Sequence, residues 1–292
     1  MQTGFNGVWV PIITPLLDGA IDHAALARLA RHLAAQGIAG LVVGATTGEG
    51  ALLQVGEQEA LVATLRAAVP AMPLVLGISV ASTAAATTRA RELAALRPAG
   101  LLVTPPLYVR PSQEGVRRHF EAVAEAADLP LLVYNIPYRT GVNVELETLQ
   151  QLARDRRVAG IKECGGNNER MLRLVQETPL AVLSGDDAQN FSALCLGARG
   201  VIAASAHVQP QWHVRMGELI ALGRLEEARR IAAALQPVVA DLFAEPSPAP
   251  LKALLALQGW CSPELRLPFV PAGATLRERL ALHWDRIRDL AL

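Results

Sequence analysis

The stretch "VAGIKECGGN", residues 158–167, places Lys162 at the end of an apolar run and directly before a Gly-Gly turn. Lysine is rare in this chain, since 25 of its 27 basic residues are arginines and the second lysine is Lys252. An amine in an apolar environment loses part of its preference for the charged form, which makes it a better nucleophile toward a carbonyl. Lys162 is therefore a candidate for Schiff-base chemistry.

A structural role for Lys162 is the alternative. In that case its ammonium pairs with a buried carboxylate, from Glu163 or Asp186, and only stabilises the fold. Buried ion pairs are weak stabilisers, because the desolvation of both charges offsets their attraction. The residue types and their spacing leave both roles open.

Tyr134 is the first partner to consider for Lys162. It ends another apolar run, "PLLVYNI" at residues 130–136. Neighbouring strands lie about 4.8 Å apart, so side chains at the ends of adjacent strands can face each other. A tyrosine beside the lysine can move the protons that Schiff-base chemistry requires.

The ends of the other apolar runs carry mainly hydroxyl groups. Arg139 is an exception whose planar guanidinium suits a carboxylate, although a loop arginine is more often a surface residue. We expect no metal-assisted chemistry, because clustered His, Asp and Glu are missing apart from one Asp-Asp pair. The residues at these ends are Thr14, Thr46, Thr47, Glu49, Ser79, Thr104, Tyr108, Tyr134, Asn135, Arg139, Lys162, Glu163, Gly185, Asp186, Asp187, Ser205 and His207.

The elements that position these residues are short runs rich in Val, Ile and Leu. The runs are apolar at consecutive positions, which is typical of parallel strands covered on both faces. Helical periodicity lies between them, with Asp22 and Ser112 as N-cap residues and Gly37 as a helix end. Eight such repeats in about 220 residues predict a (β/α)₈ barrel. A doubly wound open sheet is the alternative, but "GATTGEG" matches neither a dinucleotide fingerprint nor a phosphate loop.

The strand pattern stops near residue 223. We therefore predict a catalytic barrel over residues 1–222 and a helical region over residues 223–292 that packs on the barrel. The 27 basic and 27 acidic residues balance, and the three cysteines form no CxxC pair. The first residues have no basic stretch of a signal peptide and contain Pro11 and Pro15. We expect a soluble, cytoplasmic protein that binds neither nucleic acid nor a membrane.

Several longer segments together resemble the dihydrodipicolinate synthase / N-acetylneuraminate lyase family of pyruvate-dependent class I aldolases. The resemblance implies a (β/α)₈ barrel with a C-terminal helical extension, no metal or organic cofactor, and commonly a homotetramer built from tight dimers. The segments that carry it are "GATTGEG", "TPPLYVRPSQEG", "YNIPYRTG", "GIKE", "LSGDDA", "GVIAASA", "EPSPAPLKALL" and "LRLPFVP".

The resemblance assigns catalytic roles to four residues. Lys162 would form the Schiff base with pyruvate, and Tyr134 would act as the general acid and base beside it. Thr46 would connect Tyr134 to Tyr108 in a proton relay. Tyr108 would reach in from a neighbouring subunit.

Four further residues would bind the substrates. Thr47 would hold the pyruvate carboxylate, and the main chains of Gly185 and Ile202 would complete the pocket. Arg139 would receive the carboxylate of the second substrate. The arginine after "YNIP" is similar to the synthase branch, so the resemblance implies condensation of pyruvate with L-aspartate 4-semialdehyde, a step toward lysine and diaminopimelate.

Three departures from the family pattern lie near the expected pocket: Gly50, the segment "ECGGN" and His207. They keep two alternatives open, a paralogue that acts on another 2-keto acid or aldehyde and a non-catalytic protein that binds a keto acid. In lysine-inhibited relatives polar and acidic residues line a feedback site. At the matching positions this chain has Val55, Gln58, Ala81, Ala85 and Leu107, so we expect it to be insensitive to lysine.

Overall fold

The computed structural model describes residues 4–290. Strands and helices alternate along most of the chain, and after residue 202 the described part contains helices and short turns only. The strands are β1 (Gly7–Pro11), β2 (Leu16–Leu17), β3 (Ala20–Ile21), β4 (Gly40–Val43), β5 (Leu74–Ile78), β6 (Gly100–Val103), β7 (Leu131–Asn135), β8 (Val158–Glu163), β9 (Ala181–Ser184) and β10 (Gly200–Ile202).

The helices differ widely in length, from one turn to five. They are α1 (His23–Ala35), α2 (Glu57–Ala68), α3 (Thr83–Ala94), α4 (Gln113–Ala127), α5 (Pro137–Thr140), α6 (Leu146–Leu152), α7 (Asn168–Glu177), α8 (Asn190–Cys195), α9 (Pro210–Ala221), α10 (Leu225–Leu242), α11 (Ala249–Leu257) and α12 (Ala274–Ile287).

Eight of the strands form a closed barrel in the order β1–β10–β9–β8–β7–β6–β5–β4, and β2 and β3 form a separate two-stranded sheet. The predicted (β/α)₈ barrel is confirmed, and an open doubly wound sheet is excluded because the barrel closes. Every residue of β6 and β9 is buried. This explains the unbroken apolar runs, since a barrel strand is covered on both faces.

The described chain divides into two compact units. The first unit comprises the chain up to Gly7 and Pro73–Ile202, and the second comprises Val8–Met72 and the chain from Ala203 onward. In the first unit β5 to β10 pair in parallel. In the second unit β1 pairs in parallel with β4. The functional division into a catalytic barrel and a helical region stays a prediction.

The helix ends follow the local sequence signals. The Asp22 carboxylate accepts a hydrogen bond from the Ala25 N–H at 2.8 Å, and the Ser112 hydroxyl accepts one from Gly115 N–H at 3.3 Å. Both predicted N-caps are therefore confirmed. The apolar face of α4 is buried, with Phe120 and Val123 fully covered, and burial of one such side chain contributes about 1.5–3 kcal/mol. Within residues 4–290 no helix combines the length and apolar character needed to cross a bilayer.

Candidate active site

Lys162 and Tyr134 meet at the ends of β8 and β7. The parallel register pairs Tyr134 with Lys162 and Asn135 with Glu163. The Lys162 ammonium donates a hydrogen bond of 3.2 Å to the Tyr134 hydroxyl and lies 4.3 Å from the centre of its ring. Both side chains are buried. The structure therefore brings together the two residues on which the predicted Schiff-base chemistry depends.

Opposing influences act on the pKa of Lys162. Burial lowers it, because the charged form loses its hydration, whereas interactions with Tyr134, Cys164 and Asp187 raise it. The balance raises the pKa of Lys162 above its ordinary value. The expected effect of burial, a weaker preference of Lys162 for its charged form, is therefore present but is outweighed by the neighbouring groups. The lysine holds a proton, and the adjacent phenol oxygen lies within hydrogen-bond distance of it, at 3.2 Å.

Gly185 lies against the side chain of Lys162. A Cβ added to Gly185 would lie 2.5 Å from Lys162 Cε and 2.4 Å from Cys164 Sγ, closer than real carbon atoms approach. The Gly185 N–H donates to the Glu163 carbonyl at 2.8 Å, which fixes the turn after β9. Only glycine lets the lysine side chain cross the backbone at this point.

Cys164 follows Lys162 by two residues and is buried beside it. Burial raises the pKa of the Cys164 thiol to about 12, although the nearby Lys162 charge lowers it in part. The group therefore stays a neutral thiol near pH 7. This agrees with the sequence interpretation of Cys164 as a small buried residue rather than a nucleophile.

Glu163 is excluded as the hidden partner of Lys162, because its carboxylate binds other groups. One oxygen accepts the Gly165 N–H at 2.6 Å, and both oxygens accept from the Asn135 amide at 2.9 and 3.0 Å. Arg170, on α7, donates to Glu163 through Nε and Nη2 at 3.1 and 3.0 Å. The Glu163 side chain is 1% exposed, so this is a buried, charge-assisted network.

The same network fixes the segment between α5 and α6. Arg170 Nη2 donates to the Val144 carbonyl at 2.7 Å, and Val144 N–H donates to the Asn135 side-chain oxygen at 3.0 Å. The Asn135 amide also donates to the Asn143 side chain at 2.8 Å. The polar groups that follow β7 and β8 are thus held in one rigid arrangement directly beside Lys162.

Asp186, the other carboxylate that the sequence offered to Lys162, has local partners. It accepts the Ala188 N–H at 3.2 Å and the Gln189 amide at 2.8 Å, so it caps the turn that follows. Ile202 ends β10 and Gly185 directly follows β9, and these strands are neighbours because Val201 pairs with Ser184. The predicted substrate-binding main chains therefore lie on adjacent strands.

Arg139 lies on α5 with an exposed side chain, and its guanidinium carbon is 5.9 Å from the centre of the Tyr138 ring. Tyr108 is 91% exposed and has a φ of 71°, an uncommon conformation for a residue other than glycine. Arg110, two residues after Tyr108, connects this turn to the end of α5, because its Nε donates to the Gly141 carbonyl at 3.0 Å.

Thr46 and Thr47 belong to the second compact unit, in the 3₁₀ turn Thr46–Gly48 that follows β4. Thr47 is buried, and the Thr14 hydroxyl donates to the Gly48 carbonyl at 2.7 Å. The roles assigned to both threonines by the resemblance stay predictions.

His207 is a structural histidine. Its Nε2 accepts the Ile13 N–H at 3.3 Å and its Nδ1 donates to the Ala204 carbonyl at 2.8 Å. Burial lowers the pKa of His207 to about 4, so the ring is neutral near pH 7. Within residues 4–290 no three His, Cys, Asp or Glu side chains are grouped so as to bind a metal ion.

The sequence analysis missed the roles of Arg170 and Arg110. Each contacts a partner on a different loop, and neither spacing nor composition distinguishes them among 25 arginines. A weak signal was available for Arg170, because its position soon after "GIKECGGN" places it in the first turn of the next helix. The partner that it binds is decided only by the folded chain.

Arg170→Met will leave the Glu163 carboxylate buried without its cation. We expect the free energy of unfolding to fall by on the order of 3 kcal/mol, because removing one partner of a buried pair strands the other charge. Urea unfolding followed by circular dichroism measures this. Arg173→Met is the matched control on the same helix, since Arg173 pairs with Glu177 at the surface, where water screens the two charges, and its loss should change the stability far less. Equal effects of the two substitutions would contradict the role given to the network.

Comparison with known proteins identifies the family. The chain is 38% identical to the 4-hydroxy-tetrahydrodipicolinate synthase of Thermotoga neapolitana over 286 residues, which covers 94% of this chain and 96% of that protein. The crystal structure of dihydrodipicolinate synthase from Thermotoga maritima has a TM-score of 0.93 and 35% identity, with 97% of this chain and 98% of that chain covered. A monomeric dihydrodipicolinate synthase variant has a TM-score of 0.95 and 35% identity, with 99% of each chain covered. The dihydrodipicolinate synthetase family model matches residues 4–284, and this chain belongs to that family.

Proposed function

We propose that the chain condenses pyruvate with L-aspartate 4-semialdehyde to 4-hydroxy-tetrahydrodipicolinate, through a Schiff base on Lys162. The observation that supports this most directly is the buried hydrogen bond of 3.2 Å between Lys162 and Tyr134. It places an amine and a proton carrier in contact at the carboxyl ends of barrel strands, where barrel enzymes perform their chemistry. The relatives described above carry the name of this activity.

The first half of the reaction activates pyruvate. Tyr134 accepts a proton from the Lys162 ammonium as its own hydroxyl proton passes through Thr46 to Tyr108, and the free amine attacks the carbonyl carbon of pyruvate. Loss of water, whose oxygen comes from the ketone, leaves an imine, and protons returned by Tyr134 assist that loss. The protonated imine then accepts the electron pair of a methyl C–H bond as the proton leaves, which gives an enamine.

The second half forms the new bond. The enamine carbon attacks the aldehyde carbon of the semialdehyde, and the aldehyde oxygen takes up a proton to become the hydroxyl group. The amino group of the semialdehyde then replaces Lys162 on the imine carbon, which closes the ring and frees the lysine. Because the protonated imine serves as the electron acceptor, the proposed reaction needs neither a metal ion nor an organic cofactor.

Thr47 and the main chains of Gly185 and Ile202 hold the pyruvate carboxylate in this proposal, and Arg139 binds the carboxylate of the semialdehyde. The exposure of Arg139 supports its part, since its guanidinium donors can reach an incoming substrate. Thr46 and Tyr108 complete the proton relay.

We also propose that the active form is a homo-oligomer, a tetramer built from tight dimers, in which Tyr108 completes the site of a neighbouring copy. Support comes from the turn that carries Tyr108, whose aromatic ring is almost wholly exposed in the single chain. Val109 beside it is also exposed, so the turn presents two adjacent apolar side chains against which a neighbouring copy can pack.

Pyruvate together with borohydride should attach one reduced pyruvate to Lys162. Tyr134→Phe removes the oxygen that accepts the lysine proton, so trapping should slow by on the order of a hundredfold or more. Peptide mass spectrometry locates the adduct and a time course gives the rate. Lys162→Ala should give no adduct while its circular dichroism spectrum stays that of the native protein. An adduct on Lys252, or none on the native protein, would overturn the Schiff-base assignment and favour a protein that only binds keto acids.

Arg139→Ala should raise the KM for L-aspartate 4-semialdehyde while that for pyruvate changes little. A charge-assisted hydrogen bond at an exposed arginine contributes about 1.5–2 kcal/mol, which corresponds to about a tenfold to thirtyfold rise. Initial rates with each substrate varied in turn measure both constants. Arg156→Ala is the control, because Arg156 is also exposed but precedes β8 at its opposite end. Unchanged aldehyde kinetics in Arg139→Ala would point to a paralogue with another second substrate.

Millimolar L-lysine should leave the initial rate nearly unchanged. Val55, Ala81 and Ala85 are exposed but offer only apolar side chains, and the Gln58 amide is buried and donates to the Val43 carbonyl at 3.1 Å. Each polar group of lysine buried without a partner costs about 1–3 kcal/mol, so several such losses weaken binding by orders of magnitude. A titration of the initial rate with L-lysine tests this. Half-inhibition below about 1 mM, which corresponds to about 4 kcal/mol of binding free energy, would show that the matched positions are not the feedback site.

A further inference from the structure

Lys252 is the second lysine of the chain, and the proposed reaction does not use it. It lies on α11 and its side chain is fully buried. Its ammonium donates to the Glu49 carboxylate and to the Glu264 carbonyl, the latter at 2.8 Å. The Glu49 side chain is only 2% exposed and also accepts the Arg266 N–H at 3.0 Å. A buried ion pair thus joins α11 to the loop that follows β4.

Glu49 directly follows the turn Thr46–Gly48. Its N–H donates to the Thr46 carbonyl at 3.1 Å, which closes the turn. Its φ of 55° and ψ of 32° lie in the left-handed region, which a glutamate rarely occupies. Such a conformation persists only where the surrounding contacts hold it, and here the contacts are those of the carboxylate with Lys252 and Arg266.

Other contacts leave the turn little freedom. The Thr14 hydroxyl bonds to the Gly48 carbonyl, and a Cβ added to Gly48 would lie 2.9 Å from the Ile12 carbonyl oxygen. At Gly50 an added Cβ would lie 1.8 Å from the Gly44 carbonyl oxygen. The loop is therefore closed tightly on itself. The Glu49 carboxylate attaches it to α11 through Lys252, and Arg266 also donates to the Leu52 carbonyl of the loop at 3.1 Å.

A buried ion pair adds little stability compared with apolar residues of the same size, because both ions lose their hydration. The pair instead constrains the geometry, because the Glu49 carboxylate is held between the Lys252 ammonium and the Arg266 N–H. That position also sets the backbone of the two threonines.

We infer that Lys252 is a positioning residue for Thr46 and Thr47 that acts through Glu49, so that α11 takes part in catalysis without touching a substrate. The inference rests on the proposed function, because that proposal places the two threonines in the proton relay and the carboxylate site. It gives the C-terminal helical region a catalytic purpose in addition to packing.

Three variants test it. Lys252→Met removes the ammonium and keeps the length of the side chain. Glu49→Met combined with Lys252→Met removes both charges, so it restores stability relative to the single variant while the turn stays unattached. Arg279→Met is the matched control, because Arg279 pairs with Asp241 between α10 and α12 and has no contact with the turn.

Borohydride trapping at saturating pyruvate counts the competent sites in each preparation, and kcat is expressed per trapped site. Lys252→Met and the double variant should both raise the KM for pyruvate and lower kcat per site by about tenfold or more, since small displacements of catalytic groups have effects of this size. Arg279→Met should match the native protein in both constants. The double variant should have a higher melting temperature than Lys252→Met. A kinetic defect that both variants share is then caused by the displaced turn and not by loss of stability.

The outcomes separate this inference from the proposed function. If the native protein is trapped at Lys162 and turns over but the double variant has native KM and kcat per site, the Lys252–Glu49 pair is structural only and the inference is wrong. If the native protein is not trapped at all, the proposed function fails first.

Discussion

The register between two neighbouring strands is the constraint on which the candidate site depends. Tyr134 and Lys162 are 28 residues apart in the chain, and they are in contact because β7 and β8 pair in parallel with these residues opposite each other. A shift by one position would turn one of the two side chains to the other face of its strand. Closure of the barrel prevents such a shift, because every strand is held from both sides.

Two buried glutamates each fix a backbone segment, one in each compact unit. Glu163 follows Lys162 directly and is held by Arg170 and Asn135, whereas Glu49 follows Thr47 by two residues and is held by Lys252. In both cases a carboxylate fixes a backbone segment whose neighbouring residue has a proposed chemical role. The arrangement separates the groups that hold the backbone from the groups that exchange protons with a substrate.

The protonation of Lys162 explains why a tyrosine is needed beside it. Burial alone would lower the pKa of the ammonium, but the neighbouring Tyr134, Cys164 and Asp187 raise it and outweigh the effect of burial. A protonated lysine cannot attack a carbonyl, so the proton has to move to an acceptor within hydrogen-bond distance. The phenol oxygen lies 3.2 Å from the ammonium and serves as this acceptor in the proposed reaction.

The sequence by itself determined the barrel, its helix caps and the candidate pair. Apolar runs predict strands that are covered on both faces, and parallel strands bring residues such as Lys162 and Tyr134 to one edge of the sheet. It did not determine the partners of Glu163, Lys252 or Arg110, or the sign of the pKa shift of Lys162. Those depend on which distant groups a closed barrel brings within a few ångströms, and contacts such as that of Lys252 with Glu49 join positions too far apart in the chain for any local pattern to record.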